Sequence, residues 1–194
     1  MLGIVGCITL HHDPRLVTVA GLLCGTACFT SVSMLWRSLS HQGLAAAAWL
    51  GGAAFAFGCG VWSTHFLAMQ AYDSPLIAGY DLLATGCSLV IASIGALAAF
   101  ALFLHVRHAA QPGFAGVLLG ASIAAMHFIG FGAMRVRGYV TFDSVYVMAS
   151  LAAGMVLAGA GLSVTGTLHA LSRRVAGSLC MTAAVVALHF TAMT

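Results

Sequence analysis

Six long apolar runs divide the chain, and short polar segments separate them. The runs cover about residues 16–36, 44–72, 76–104, 113–134, 144–171 and 175–194. Each is long enough for an α-helix to cross a bilayer, which takes about 20 residues. The pattern therefore predicts an all-α, polytopic membrane protein with six transmembrane helices embedded in the lipid bilayer.

The composition agrees with this interpretation and limits the function. Of the 194 residues, 61% are hydrophobic and only 6% are charged, whereas a soluble globular domain carries about 25% charged residues. The arginines and aspartates lie almost wholly between the apolar runs, so the net charge of +3 does not indicate nucleic-acid binding. Because little polar sequence lies outside the predicted helices, the chain has no room for a soluble catalytic or output domain. We expect that it is not an enzyme.

The arginines predict the orientation of the helices. The segments after the first, third and fifth runs carry four arginines and no acidic residue: Arg37, Arg107, Arg173 and Arg174. The opposite side carries three arginines together with all four aspartates. Short loops rich in arginine stay in the cytoplasm, so the N-terminus is predicted to lie outside.

Three histidines recur at a constant interval of 62 residues, and a phenylalanine follows each of them. They are His65, His127 and His189. A 62-residue unit accommodates one pair of membrane helices, which predicts three helical hairpins with parallel histidine-bearing helices, at about residues 13–75, 76–138 and 139–194. An ionisable side chain within a membrane span is a candidate functional residue. Three of them in one register indicate one shared site.

Small residues one turn apart occur at matching positions on the histidine-bearing helices. The pairs are Ala54 and Gly58, Gly116 and Gly120, and Ser178 and Thr182. Small residues allow membrane helices to approach closely, so we expect these pairs to bring the three histidine-bearing helices together.

Two aspartates share the 62-residue interval as well. Asp81 and Asp143 are predicted to cap the starts of the third and fifth helices. Asp13 lies six residues too early for this register, which predicts that the first hairpin has diverged.

Methionines follow each histidine at helical spacing. Met69 and Met193 lie four residues after their histidines, and Met134 lies seven residues after His127, so each thioether is predicted to share a helix face with its imidazole. Imidazole and thioether are borderline-to-soft ligands, and the absence of a carboxylate favours copper over magnesium, calcium or manganese. The sequence therefore predicts a site that stabilises Cu(I), with Cu(II) also accessible. Its ligands are His65, Met69, His127, Met134, His189 and Met193.

The depth of this site follows from the nearest charged residues. Asp73 and Arg135 each lie eight residues beyond their histidine, or about 12 Å along a helix, which places the site near the outer membrane face. Met126 adjoins His127 but is predicted to point away from the site. His11 and His12 are predicted near the outer mouth and outside the coordination sphere.

Other functions use the same residues. The histidines could serve as interhelical hydrogen-bond partners in a metal-free structural or assembly module. Haem is less favoured, since it requires opposed axial histidines and a larger pocket. A transporter or channel for copper or another small solute would use the same ligands, but the predicted helices offer few polar residues toward the cytoplasm.

The motifs resemble those of the MHYT domain, a bacterial membrane sensor module. Residues 62–69 read WSTHFLAM, 126–130 read MHFIG and 188–193 read LHFTAM, and the opening HDPRLV at 12–17 is also similar. The resemblance implies a place in the bacterial inner membrane and a copper site near its outer face. It also implies sensing of O2, CO, NO or redox state, and a fused or separate cytoplasmic signalling domain, commonly one that makes or degrades cyclic dinucleotides.

The chain departs from the family pattern in three ways. Phe66, Phe128 and Phe190 replace the tyrosine of the motif, and Phe131 replaces a methionine that the resemblance implies as a ligand. Family members usually have a seventh helix and an output domain, neither of which is predicted within these 194 residues.

Overall fold

The computed structural model describes residues 10–72, 79–105, 111–136, 141–165 and 171–194, together with Gly6. These residues form six α-helices: α1 (Pro14–Leu39), α2 (Gly43–Ala71), α3 (Leu82–His105), α4 (Gln111–Gly132), α5 (Ser144–Thr165) and α6 (Leu171–Ala192). All six are long and apolar enough to cross a membrane. The prediction of an all-α, multi-pass membrane protein is confirmed.

The helices form a closed ring of three hairpins. Each helix packs against the next one along the chain, and α6 packs against α1. The even-numbered helices, which carry the histidines, also meet one another through the imidazole rings. The three repeats thus direct their equivalent residues toward one centre.

The small-residue pairs pack the helices in a combination that the sequence did not predict. A Cβ on Gly120 of α4 would lie 2.6 Å from the Cα of Met155 on α5, and one on Gly58 of α2 would lie 2.8 Å from the Cα of Ser93 on α3. Gly116 packs on α5 in the same way. For the three glycines of these pairs, the expectation that they join the histidine-bearing helices to each other is wrong. Gly58, Gly116 and Gly120 join an even helix to the odd helix of the next hairpin.

Aspartates cap the starts of α3 and α5, as predicted. The carboxylate of Asp81 accepts a hydrogen bond from the N–H of Ala84 at 2.9 Å, and that of Asp143 accepts one from the N–H of Val145 at 2.8 Å. Such caps satisfy N–H groups that have no partner within the helix.

Asp13 caps the start of α1 in the same way, although it lies outside the 62-residue register. Its carboxylate accepts from the N–H of Arg15 at 2.8 Å, and its own N–H donates to the carbonyl of Ala71 at 2.8 Å. The N–H of Asp81 donates to the carbonyl of Ala133 in the same manner, also at 2.8 Å. The cap of α1 is therefore equivalent to the other two.

The six extra residues of the first hairpin lie after this cap, between Asp13 and His65, where α1 and α2 have 26 and 29 residues and the other helices have 22 to 24. The prediction that the first hairpin has diverged thus holds for its length and is wrong for its cap.

Two short strands join the connection between α2 and α3 to the connection between α4 and α5. β1 (Gly79–Tyr80) pairs with β2 (Met134–Arg135) in antiparallel fashion. The guanidinium of Arg135 donates to the carboxylate of Asp81 at 2.9 Å. The sequence did not predict these strands. Asp73, which served to predict the depth of the site, lies outside the described residues.

Apolar layers fill the bundle on one side of the histidines. Four residues before each histidine lie Val61, Ile123 and Val185, none more than 3% exposed. Eight residues before each histidine lie Phe57, Leu119 and Met181, none more than 1% exposed. All six belong to one buried hydrophobic cluster. The repeat therefore extends through the core as well as through the histidines.

Candidate metal centre

The three histidines occupy equivalent places on parallel helices. His65, His127 and His189 lie in the last two turns of α2, α4 and α6. Their exposed fractions are 2%, 1% and 5%. Because the helices share one direction and the residues one position, the imidazoles reach the centre of the bundle at the same level.

The imidazoles form a nearly equilateral triangle. The ring centroids of His65 and His127 are 4.8 Å apart, those of His127 and His189 are 5.1 Å apart, and those of His65 and His189 are 5.3 Å apart. The rings stand edge to face, with interplanar angles of 77°, 89° and 77° respectively. The prediction that three imidazoles converge on one centre is confirmed.

The Nδ1 atoms point inward. The Nδ1 of His65 lies 3.1 Å from the Nδ1 of His127 and 3.3 Å from the Nδ1 of His189. In neutral imidazoles these contacts require one ring to donate N–H to the next, and the tautomer decides which ring donates. The opposite nitrogens, the three Nε2 atoms, are buried and have no hydrogen-bond partner among the described residues. Each such buried polar atom costs about 1–3 kcal/mol, and native structures retain unsatisfied groups of this kind mainly where they have a functional reason.

The spacing of the Nδ1 atoms suits a single metal ion. An imidazole nitrogen binds an ion such as zinc at about 2.0–2.1 Å, so two nitrogens in tetrahedral or trigonal coordination lie about 3.3–3.6 Å apart. The observed separations of 3.1 and 3.3 Å need little change to meet this requirement. Among the described residues, the three histidines are close enough together to bind one metal ion. One ligand atom from each lies within 4.8 Å of the others. The donor set fits a copper ion, because it is neutral and contains no carboxylate.

A glycine makes room for one of the imidazoles. A Cβ on Gly130 of α4 would lie 2.8 Å from the Nε2 of His65 and 3.0 Å from its Cδ2. The equivalent residues in the other repeats, Ala68 and Ala192, are small and buried as well. At Gly130 the missing side chain therefore leaves space that the ring of His65 occupies.

The three methionines that the sequence predicts as ligands differ in their positions relative to the histidines. Met69 is buried one turn after His65, and Met193 is partly exposed in the turn that follows α6. Met134 lies in β2, because α4 ends at Gly132, so the prediction that Met134 continues the helix face of His127 is wrong.

Met126, which the sequence directed away from the site, lines the cavity beside the three imidazoles and is 1% exposed. Within the described part of the chain, the lining of this cavity includes none of the three predicted methionines. The residue before each histidine is 100° away around a helix. It still reaches the interior, because the cavity extends along the bundle beyond the imidazoles.

A fourth histidine lies beside the centre. His12 is 4% exposed, and its ring packs edge-on against Phe190 and Tyr72, with both centroids 5.2 Å away. A backbone bridge between His12 and Tyr72 holds this segment over the end of the bundle. The sequence offered no signal for this burial, since the contact joins residues 60 positions apart.

Six helices that are long and apolar enough to span a membrane, in three repeats with one buried histidine from each, define a multi-pass membrane protein with a threefold internal repeat. A profile of the MHYT family, described as "Bacterial signalling protein N terminal repeat", matches residues 58–116 and 120–178. The chain belongs to this family, as its motifs indicated. No solved structure matches the chain.

Full-length signalling proteins from bacteria contain similar sequences. The chain is 35% identical over 187 residues to an uncharacterized signaling protein of Caulobacter vibrioides, covering 96% of the chain and 23% of that protein. It is 35% identical over 191 residues to the bifunctional diguanylate cyclase/cyclic di-GMP phosphodiesterase MucR of Pseudomonas aeruginosa, covering 94% of the chain and 27% of MucR. It is also 35% identical over 203 residues to the cyclic di-GMP phosphodiesterase NbdA of the same organism, covering 94% and 24%. The chain thus spans about a quarter of the length of these relatives.

Proposed function

We propose that the chain is a membrane sensory module in which His65, His127 and His189 hold one copper ion and report a diatomic gas or a redox change. The observation that carries this proposal is the pair of Nδ1 separations, 3.1 and 3.3 Å, in a buried triangle of neutral ligands. Such ligands around Cu(I) leave one net charge in the low-dielectric interior, whereas Cu(II) leaves two, so burial favours the reduced ion. Bound there, copper would supply a one-electron redox change or an open position for a gas.

A thioether would complete the ligand set. Among the methionines, Met126 has the strongest support, because it lines the same cavity as the imidazoles. Met69 and Met193 remain candidates one turn beyond their histidines. Met134 is the weakest, because its strand removes the helical argument for it. A soft sulfur ligand stabilises Cu(I) further.

The apolar layers favour a sensor over a transporter. Val61, Ile123 and Val185 close the bundle one turn from the histidines, and Phe57, Leu119 and Met181 close it one turn further. A metal ion that crosses the membrane needs ligands along its way, since an unliganded charge in an apolar interior is very costly. These layers hold the ion at the triangle and keep water from following it.

Helix α6 provides a route to the other end of the bundle. It carries His189 near its last turn and Arg174 in its first turn, where the guanidinium lies 3.9 Å from the ring centroid of Trp36 on α1. The arginines at this end favour a cytoplasmic location, with the N-terminus outside the inner membrane. The relatives named as cyclic di-GMP enzymes support an output through a cytoplasmic signalling domain, fused or separate. A shift of α6 would transmit the signal to that domain.

Copper content tests the proposal. The protein is loaded with Cu(I) under reducing conditions, and copper per chain is measured by elemental analysis. We expect one copper ion per wild-type chain, background copper in the triple variant His65→Ala, His127→Ala, His189→Ala, and wild-type content in His41→Ala, a matched change at an exposed histidine. Infrared spectra under carbon monoxide then test gas binding, with a band expected in the loaded wild type and absent in the triple variant. Wild-type copper in the triple variant would overturn the proposal.

A further inference from the structure

A cavity of about 130 Å³ lies beside the histidine triangle, between α1 and α6. The three imidazoles form part of its wall, and Met126 and Thr64 line it as well. The rest of the lining is made of aliphatic side chains, glycine and one phenylalanine. The cavity is therefore largely apolar even though it adjoins three ring nitrogens.

Its size and lining suit a small apolar guest. An engineered apolar cavity of about 150 Å³ stays dry and binds benzene or xenon. The hydroxyl of Thr64 donates to the carbonyl of Gly60 at 2.7 Å, so its proton is already used within the helix. Nearly all of the surface that the wall exposes to the cavity is apolar. The wall therefore offers water few of the two to four hydrogen bonds that it needs in a protein interior.

The mouth of the cavity opens on the side of the bundle. Val17 and Gly21 of α1 and Val186 of α6 line the cavity and are partly exposed. The neighbouring exposed residues on α1, Val19 and Leu22, are apolar and are 52% and 67% exposed. An apolar exposed face on a membrane-spanning helix faces lipid. The mouth therefore faces the hydrocarbon layer.

We propose that this cavity binds a small, uncharged, apolar molecule, such as a diatomic gas, that arrives from the lipid phase between α1 and α6. The inference rests on the proposed function in that the guest would lie against the histidines that hold copper. Binding of the guest itself requires only the cavity. The copper test and the cavity test can therefore fail separately.

Xenon serves as the probe, and two methionines serve as reporters. Protein labelled at the methionine methyl groups is placed in lipid nanodiscs without copper, and its spectrum is recorded under increasing xenon pressure. Met126 lines the cavity, whereas Met148 on α5 is 65% exposed and faces lipid. The substitutions Met126→Leu and Met148→Leu assign the two signals. We expect a saturable shift of the Met126 signal and only a linear, solvent-like shift of the Met148 signal.

A leucine at Gly21 tests the route. No atom lies within 4 Å of a Cβ at Gly21, so a larger side chain fits there and fills the mouth. We expect Gly21→Leu to reduce the xenon-induced shift of Met126 at least several-fold. The matched control is Gly86→Leu on α3, another glycine with no atom within 4 Å of its Cβ and no place in the cavity lining, and it should keep the wild-type shift. A linear Met126 response in wild type, or an unchanged saturable response in Gly21→Leu, would overturn the proposal.

Discussion

Gly130 of α4 lies directly against the imidazole of His65, so that a Cβ at Gly130 would come within 2.8 Å of the Nε2 atom. Real Cβ atoms are almost never found so close to another heavy atom. The position of one ligand ring thus depends on the absence of a side chain on the next repeat. The relationship links the repeat register, in which this position is small, to the geometry of the candidate metal centre.

Gly130→Ala is expected to displace the ring of His65 and to lower copper binding. Inserting a methyl group into a well-packed interior costs about 1–3 kcal/mol, so the melting temperature should fall as well. Elemental analysis and thermal unfolding measure the two effects. Gly132→Ala is the control, because no atom lies within 4 Å of a Cβ there. Equal copper content and stability in both variants would show that the ring does not need this space.

Met126→Leu is expected to lower the copper reduction potential. A thioether stabilises Cu(I) relative to Cu(II), and leucine keeps the volume of methionine at a cost below about 1.5 kcal/mol. Redox titration of copper-loaded protein measures the potential. Met148→Leu, at a lipid-facing position, should leave it unchanged. A potential that falls with Met69→Leu and not with Met126→Leu would instead assign the sulfur ligand to the residue that the sequence predicted.

Gly120→Ala is expected to destabilise the bundle, because its Cβ would lie 2.6 Å from the Cα of Met155 and backbone cannot move aside as a flexible side chain can. The expected loss is about 1–3 kcal/mol, measured by denaturant unfolding in mixed micelles. Gly51→Ala provides the comparison, since its Cβ would meet no atom within 4 Å. That variant should be neutral or slightly stabilised, because alanine favours a helix over glycine by about 1 kcal/mol. A stable Gly120→Ala variant would refute the close contact between α4 and α5.

Asp81 is expected to make stability depend on acidic pH. The N–H of Ala84, and then the guanidinium of Arg135, hold the pKa of this carboxyl below its ordinary value of 3.8. A group whose folded pKa is lowered stabilises the fold above its unfolded pKa, and this stabilisation disappears as pH falls through the lowered value. Thermal unfolding of wild type and Asp81→Asn should therefore differ near neutral pH and converge below pH 3.8.

The effect should be small, since the carboxyl is exposed to solvent and screened. Arg135→Ala removes the ion pair at 2.9 Å but keeps the cap. The difference in stability between wild type and Arg135→Ala should therefore be smaller and should also disappear as the pH falls. A difference between wild type and Asp81→Asn that stays constant with pH would contradict the assignment.

The sequence was sufficient for the six helices and the histidine triangle, because both follow from local regularities. Apolar length alone predicts each membrane span. Residues 62 positions apart lie at the same depth and on the same face of equivalent helices. His65 and His127 must therefore meet if their helices meet. The caps at Asp81 and Asp143 follow from the same register.

Other features depend on contacts between distant parts of the chain, which no local pattern reports. Met134 leaves the helix because β2 pairs with β1 across the connections. His12 is buried because Tyr72 and Phe190 receive its ring. Met126 reaches the cavity because the gap between α1 and α6 extends past the imidazoles. In each case the residues that determine the position are distant in the sequence, either in another hairpin or at the other end of the same hairpin.

X-ray absorption at the copper edge tests the central claim most directly. Copper-loaded wild-type protein should show imidazole nitrogen scatterers at about 2.0 Å, with the outer-shell pattern of three histidine rings. The spectrum should lose this pattern in the triple histidine-to-alanine variant and keep it in His41→Ala. A spectrum without imidazole scattering, or one that the triple variant leaves unchanged, would contradict the assignment of His65, His127 and His189 as the ligands.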